Sequence, residues 1–275
     1  MGHRKRAGSI LTYAFLILSA VIMIFPFYWM LITAMKTFAE ATAFPPAMIP
    51  GSAAFENVIT VLTGTPILRY ILNSFLVTAA QLAACLLTTI LGAFALARLN
   101  IKGKNVILAT MMALTMAPFE LIVLTNYATT IKLNLNDSLF ALILPFIGNV
   151  YYTIILRNSF LSTPGSLYYS AKIDGAKDRE YLWRILIPLS KPTLTSIAVF
   201  NVIASWNSFM WPFLVINSPE KRTWPFGLFA FATEQWTNIP LTMAASCIAL
   251  IPVLLFFLFA RKHLITSVFT TDTPR

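Results

Sequence analysis

An all-α protein that crosses a lipid bilayer several times is the fold class this sequence predicts, and three observations carry that reading. Of its 275 residues, 58% are hydrophobic and only 11% are charged, against about 25% charged in soluble domains. Mean hydropathy is +0.76. Six charge-poor runs follow one another, each close to or above the ~20 residues that carry a helix across a bilayer. The length alone would allow one or two soluble domains at about 150 residues each. With 20 basic and 10 acidic side chains, however, so much apolar surface cannot be clothed for water. Most soluble enzymes and a compact nucleic-acid-binding module are thereby excluded.

The runs place the spans in order. The first is Ala7 to Met35, between Arg4-Lys5-Arg6 and Lys36. The second is Tyr70 to Ala97, between Arg69 and Arg98. Asn105 to Ile131 is the third, interrupted only by Glu120. Ser138 to Leu156 is the fourth, Pro192 to Pro219 the fifth, and Gln235 to Ala260 the sixth, ending at Arg261 and Lys262. A cleaved signal peptide is the rival reading of the start, with Ala39-Glu40-Ala41 as its cleavage site. The apolar run, however, is about twice the 7–15 residues of a signal core. Pro26, Pro118, Pro145, Pro212 and Pro252 fall inside the runs, and each should kink its helix by removing a donor and crowding the turn before it.

Charge fixes the expected topology. Six spans put both termini on one side. With that side cytoplasmic, 15 of the 20 basic residues fall inside and 5 outside, as the positive-inside rule requires. The net charge of +10 is therefore read as cytoplasmic loops against a membrane, with no nucleic-acid partner. Cys85 and Cys247 both lie in apolar runs, which argues against a disulfide framework. His3 and His263 lie near opposite ends, and no His/Cys set has metal-ligand spacing.

The longest inside loop, 158–191, has organisation of its own. Thr163 before Pro164 reads as a helix start, a capping hydroxyl followed by proline at the first helical position. Gly175 reads as the stop, since glycine takes the left-handed conformation at little cost. Asp178 is placed to cap a second helix, with Glu180 in its first turn. Leu182, Ile185 and Leu186 give that helix an apolar stripe. Leu167 and Ala171, with Tyr168, Tyr169 and Lys172 around them, fit two uses: docking on another protein, or lying among lipid headgroups.

The spacing in this loop resembles the "EAA" loop of ABC-importer permeases: Glu-Ala-Ala, three residues, Gly, nine residues, Ile-x-Leu-Pro. Here nine residues separate Gly175 from Ile185-Leu186-Ile187-Pro188, and Asp174-Gly175-Ala176 is similar to the Asp-Gly-Ala of the sugar-importer branch. The sequence departs from the signature at Tyr169, in place of the glutamate, at Ser170, in place of the first alanine, and at Ile187. Further segments resemble the same family: Phe55-Glu56-Asn57, Asn73-Ser74, Ala93 to Arg98, and Trp206-Asn207-Ser208-Phe209-Met210-Trp211-Pro212. Together they look like maltose-transporter-like carbohydrate permeases, with glycerol-phosphate permeases as close relatives.

That resemblance implies a single permease domain, 1–275, of the type I ABC importer fold in a bacterial inner membrane, with both termini cytoplasmic. It implies a heterodimer with a second permease subunit, two ATPase subunits and an extracytoplasmic solute-binding protein, translocating a sugar or oligosaccharide by alternating access. A glycerol-phosphate or charged-saccharide permease is the alternative. Leu167, Tyr168, Tyr169, Ser170, Ala171, Lys172, Asp174, Gly175 and Ala176 would meet the ATPase. No Gly-x-x-x-x-Gly-Lys-Ser/Thr occurs in the chain, so ATP and Mg belong to the partner ATPase. This chain is expected to be a transport subunit with no catalytic residues and no cofactor of its own.

Candidates for the solute path are the polar and aromatic groups at membrane depth: Glu120, Asn149, Tyr151, Tyr152, Asn201, Trp206, Asn207 and Trp211. Hydrogen-bonding groups beside flat aromatic faces suit sugars. Glu120 is the one acid inside an expected span, functional by default there, or interfacial if the span ends at Pro118. The tryptophans suit the path or an interfacial aromatic belt. A secondary transporter or channel would call for paired intramembrane charges and an inverted repeat, and neither is visible.

Overall fold

The computed structural model describes residues 2–51, 55–235 and 237–269, with side chains from residue 12 onward except 119, 120, 257 and 259–269. Every regular element among them is helical. In chain order these are α1 (Gly2–Ala34), α2 (Phe38–Thr42), α3 (Glu56–Gly64), α4 (Ile67–Arg98), α5 (Lys104–Leu114), α6 (Phe119–Lys132), α7 (Leu139–Ile143), α8 (Val150–Ser162), α9 (Gly165–Ile173), α10 (Asp178–Tyr181), α11 (Ile187–Leu189), α12 (Lys191–Trp206), α13 (Met210–Val215), α14 (Trp224–Glu234) and α15 (Ile239–Phe269). By length and composition, three stretches can cross a membrane: Thr12–Ala34, Ile67–Arg98 and Ile239–Phe256. Two bent pairs raise this to five, Leu139–Phe146 with Val150–Ser162 at 43° and Asp178–Leu189 with Lys191–Trp206 at 80°.

The described helices thus account for three to five of the six expected spans. The difference lies in the third run, Asn105 to Ile131, which is not one helix. Its α5 has 11 residues, too few for a bilayer, and the chain breaks before α6. Pro118 is the physical cause. It has no N–H to donate and pushes the residue before it out of the helical region, so a new helix starts directly behind it with Pro118 extended at ψ 145. Glu120 is therefore in the first turn of α6. Its side chain lies outside the described residues.

Prolines act differently elsewhere. Pro26 and Pro252 sit inside continuous helices. Pro145 lies in a tight 3-10 turn, Leu144–Phe146, that separates α7 from α8. Pro212 ends the fifth run early. A continuous helix would bring its ring against the carbonyl of Ser208. Instead α12 stops at Trp206, and α13 begins two residues before the proline, where a first-turn residue needs no donor.

The chain divides into two compact units. The first comprises Met1–Leu68 and Leu228–Leu254. Its buried side chains include Ile32, Val61, Phe231, Ala244, Ala245 and Ile248. Asn57 donates from one amide to the Ala34 and Lys36 carbonyls, both 2.9 Å, and so closes the end of α1. Lys36 is 1% exposed. Its ammonium is satisfied by the Ala47 carbonyl at 2.6 Å and lies 4.5 Å from the Trp29 ring centre. The second unit comprises Arg69–Gly227 and Leu255–Arg275. Its core is built from Cys85, Ile90 and Phe94 of α4, Leu156 and Phe160 of α8, and Tyr181, Leu182, Leu186 and Ile197. In this unit Asn73 donates to the Glu220 and Arg222 carbonyls, both 2.9 Å, and the Ser74 hydroxyl accepts from the Trp224 N–H at 2.7 Å.

Candidate coupling surface and solute cavity

The loop between α8 and α12 is ordered by its caps, though not all of them are the expected ones. Thr163 does not cap α9 with its hydroxyl; Pro164 holds the cap position without a side-chain bond. The Thr163 carbonyl instead accepts from Arg98 at 2.7 Å. At the other end Gly175 has φ +83. The Ala176 N–H reaches the Ala171 carbonyl at 2.9 Å and the Gly175 N–H reaches the Lys172 carbonyl at 3.1 Å. That bond pair is a Schellman motif.

Asp178 also differs from expectation. It is the first residue of α10, and Lys177 holds the cap; the Lys177 N–H donates to Glu180 at 3.1 Å. The Asp178 carboxylate is thus available to the neighbouring helix, where it takes the Lys172 ammonium at 2.7 Å and the Tyr168 hydroxyl at 2.8 Å. The bond from Lys172, then that from Tyr168, holds its carboxyl below the usual range. Burial, then the bond to Asp178, pushes the Tyr168 phenol up. The Tyr168 ring meets Tyr181 edge-on at 4.9 Å.

These contacts decide which face of α9 is which. Tyr168 and Ala171 turn inward, so Leu167 is not paired with Ala171; it is exposed. Tyr169 and Ile173 are 68% and 86% exposed, and Ser170 and Asp174 are exposed with them. Beside α9, Lys177, Arg179, Trp183 and Arg184 line an open depression of about 420 Å³ with Glu180. Sequence reasoning missed this depression: its residues lie consecutively on the cap of α10, on α10 and on the π turn behind it, Leu182–Leu186, and helical spacing alone does not tell a lined hollow from a solvated charged face. The π turn has a local cause. It encloses Arg184, the residue whose carbonyl the Pro188 ring would otherwise strike.

A second site lies within the second unit. Asn149, Tyr152 and Asn201 line a cavity of about 120 Å³ together with Gln81, Phe146, Ser205 and Ser208. Gln81, Ser205 and Ser208 were missed because glutamine and serine in apolar runs have no pattern that separates lining from capping. Gln81 donates to the Leu142 carbonyl at 2.7 Å, and the Thr88 hydroxyl donates to the Ile147 carbonyl. Both acceptors flank the 3-10 break, where backbone groups lose their helical partners. Asn149 caps α8 by accepting from the Tyr152 N–H at 3.0 Å. Asn201 is 8% exposed, and its buried Oδ1 has no hydrogen-bond partner.

Four other candidates stand apart from the cavity lining. Trp211 is 2% exposed and donates to the Ala141 carbonyl at 2.9 Å. Asn207 is exposed and closes α12 by donating to the Ile203 carbonyl at 2.9 Å. Trp206 is half-buried, and its buried Nε1 has no partner. Tyr151 is exposed. Among the described residues, no group of three or more His, Cys, Asp or Glu side chains comes together as a metal site.

Long apolar helices, broken spans around a polar cavity, and an ordered loop with an exposed apolar helix define a helical membrane permease. The chain belongs to the family described as binding-protein-dependent transport system inner membrane component, whose model matches residues 1–266. It is 29% identical to the arabinooligosaccharides transport system permease protein AraQ of Bacillus subtilis, over 94% of this chain and 92% of that one. It is 30% identical to the diacetylchitobiose uptake system permease protein DasC of Streptomyces coelicolor, over 89% and 90%. The sn-glycerol-3-phosphate transport system permease protein UgpE of Yersinia pestis is 26% identical over 99% and 100%. A crystal structure of a bacterial ABC transporter that imports the acidic polysaccharide alginate contains a chain of the same fold, with TM-score 0.81 at 24% identity over 94% and 96%. This is the type I importer permease fold.

Proposed function

We propose that this chain is the membrane-spanning subunit of an ATP-driven importer for a sugar or oligosaccharide. The observation that carries the reading is the match, along nine-tenths of the chain, to permeases named for oligosaccharide uptake. The chemistry of the cavity supports it. Amide and hydroxyl groups of Gln81, Asn149, Asn201, Ser205 and Ser208 lie beside the aromatic rings of Tyr152 and Phe146, a mixture suited to a neutral polyol. Among the described residues no Lys or Arg lines it, whereas a glycerol phosphate would want a cation to meet its charge. At about 120 Å³ the cavity falls short of the ~300 Å³ at which ligand pockets begin. A second permease subunit supplies the opposite wall.

The exposed face of α9, with Leu167, Tyr169 and Ile173, seats in an ATPase subunit. Apolar side chains presented to water on an ordered helix favour burial against a partner. Ser170, Lys172, Asp174, Gly175 and Ala176 hold that face in place. Closure of two ATPase subunits around ATP and Mg moves α9, and the spans shift between inward-open and outward-open populations, each favoured by a different set of bound partners. The binding protein delivers the solute on the outer face, and both termini lie in the cytoplasm. Tyr169 offers the ATPase a phenol where a glutamate is usual.

Purification of the tagged chain from its native membrane in mild detergent tests this reading. Recovery of a second permease and an ATPase is the expected result. Recovery of this chain alone, moving solute in liposomes without ATP, would replace it with a secondary transporter.

A further inference from the structure

Two arginines cross between the ends of α4 and α8. Arg98, the last residue of α4, donates from Nη2 to the carbonyls of Phe160 at 2.8 Å and Thr163 at 2.7 Å. Both acceptors belong to the closing turn and cap of α8, where carbonyls have no intrahelical partner. In return, Arg157 of α8 donates from Nε to the Leu96 carbonyl, in the last turn of α4, at 3.4 Å. Each helix is closed by a cation from the other. The sign is favourable at both ends, because a helix C-terminus carries partial negative charge, and bonds from a guanidinium are stronger than neutral ones. The first residue of α9 is in the same joint: a Cβ on Gly165 would stand 3.9 Å from the Arg98 Nη1.

Thr163 is the corner between α8 and α9. An α9 that swings about Thr163 and Pro164 must therefore break the Arg98 bonds or carry α4 with it. The α4 helix is unbroken over 32 residues. Its Gln81, 17 residues before Arg98 and so about 26 Å along the axis, lines the cavity and holds the Leu142 carbonyl.

We propose that Arg98 and Arg157 form a reciprocal joint that makes α9 and α4 move as one piece, so that α4 relays displacement of α9 to the cavity wall. Both are positioning residues. The inference rests on the reading that α9 seats on the ATPase, and its test separates the two.

The test uses the complete transporter in proteoliposomes, with its ATPase and binding protein, scoring ATP hydrolysed and solute moved. Arg98→Met keeps the stem and removes the donors. It is expected to leave hydrolysis within about twofold and to lower transport about tenfold, the scale of a lost charge-assisted hydrogen bond, so that ATP used per solute rises about tenfold. Arg98→Lys, a point charge without the fork, should recover part of this. Arg157→Met should act in the same direction and more weakly, in keeping with its longer bond. Hydrolysis and transport that fall together, in proportion to lost assembled complex, would reduce the pair to structural caps and overturn the proposal, as would an unchanged ATP-to-solute ratio. A photo-cross-linker at Ile173 locates the cause. A cross-link to the ATPase in both the parent and Arg98→Met assigns the lost coupling to the joint. No cross-link in the parent overturns the seating of α9 and the relay with it.

Discussion

Around α9, polar side chains satisfy one another: Lys172, Tyr168 and Asp178 form a closed set, and the Schellman turn at Gly175 closes the helix. Around the cavity, polar side chains satisfy broken backbone. Gln81, Thr88 and Asn149 each hold a group freed where the fourth run stops being helical, and Asn201 keeps an acceptor with no partner. The first region is fixed in shape and presents an apolar face outward. The second keeps polar capacity in reserve inside a membrane, where an unsatisfied group costs several kcal/mol. The proposed reading, a transmitter at α9 and a solute site at the cavity, calls for this difference.

The largest effect is expected at the turn. Gly175→Val forces a β-branched residue to φ +83, a strain of about 1–3 kcal/mol. Coupled ATP hydrolysis and uptake should both fall about tenfold or more while the spans still insert. Normal uptake would show that the α9 region is no transmitter. Gly175→Asn, which tolerates the left-handed region better, should retain most activity.

Asn201→Leu sharpens the contrast from the other side. Removing an unpartnered acceptor should leave thermal stability unchanged or slightly raised. If the Oδ1 meets solute, uptake should weaken about tenfold, mainly through KM, as expected for one buried hydrogen bond left unmade. A lower melting temperature with normal uptake would make Asn201 structural. Trp211→Phe is the matching control: it should lower stability by about 1 kcal/mol, through the lost bond to the Ala141 carbonyl, and leave KM alone.

The smallest effect tests a polar set like the one around α9, at another loop. The Asp137 carboxylate accepts from the Ser218 hydroxyl and N–H, the Asn217 N–H and the Lys221 ammonium. Burial alone would raise its pKa; these bonds outweigh burial and hold it well below the carboxylate range. Its stabilisation is therefore present above the unfolded value of about 3.9 and is lost as pH falls further. Asp137→Asn should cost about 1 kcal/mol at neutral pH, and the melting temperatures of parent and variant should begin to converge as pH falls below about 4 and draw together progressively from there.

Much of the fold is legible as sequence, because span length and glycine or proline punctuation are local. Gly175 announces its own conformation, and Pro118 marks the start of α6. The break before Pro212 is harder to place, since the run is apolar throughout and only the proline's missing donor divides it. The cavity is less legible still. In an apolar helix, an asparagine that caps and one that meets solute look alike: Asn57, Asn73 and Asn207 proved to hold carbonyls, whereas Asn201 lines the cavity. Nor does any spacing announce that Arg98 and Arg157 exchange partners, because that pairing exists only once α4 and α8 lie side by side.

The length of α4 has a consequence for the membrane itself. Arg69 and Arg98 lie 29 positions apart in one unbroken helix, about 44 Å. That is close to the ~40–45 Å thickness of a bilayer with its headgroups, so each guanidinium can rest in a headgroup layer when the helix stands nearly upright. A piston stroke along its own axis would drag one of them toward hydrocarbon, at about 2.5–3.5 kcal/mol for an arginine at mid-bilayer on insertion scales. Tilting or turning about the axis costs far less. The helix is a strut cut to the membrane's thickness, and the bilayer confines its working motion to rocking.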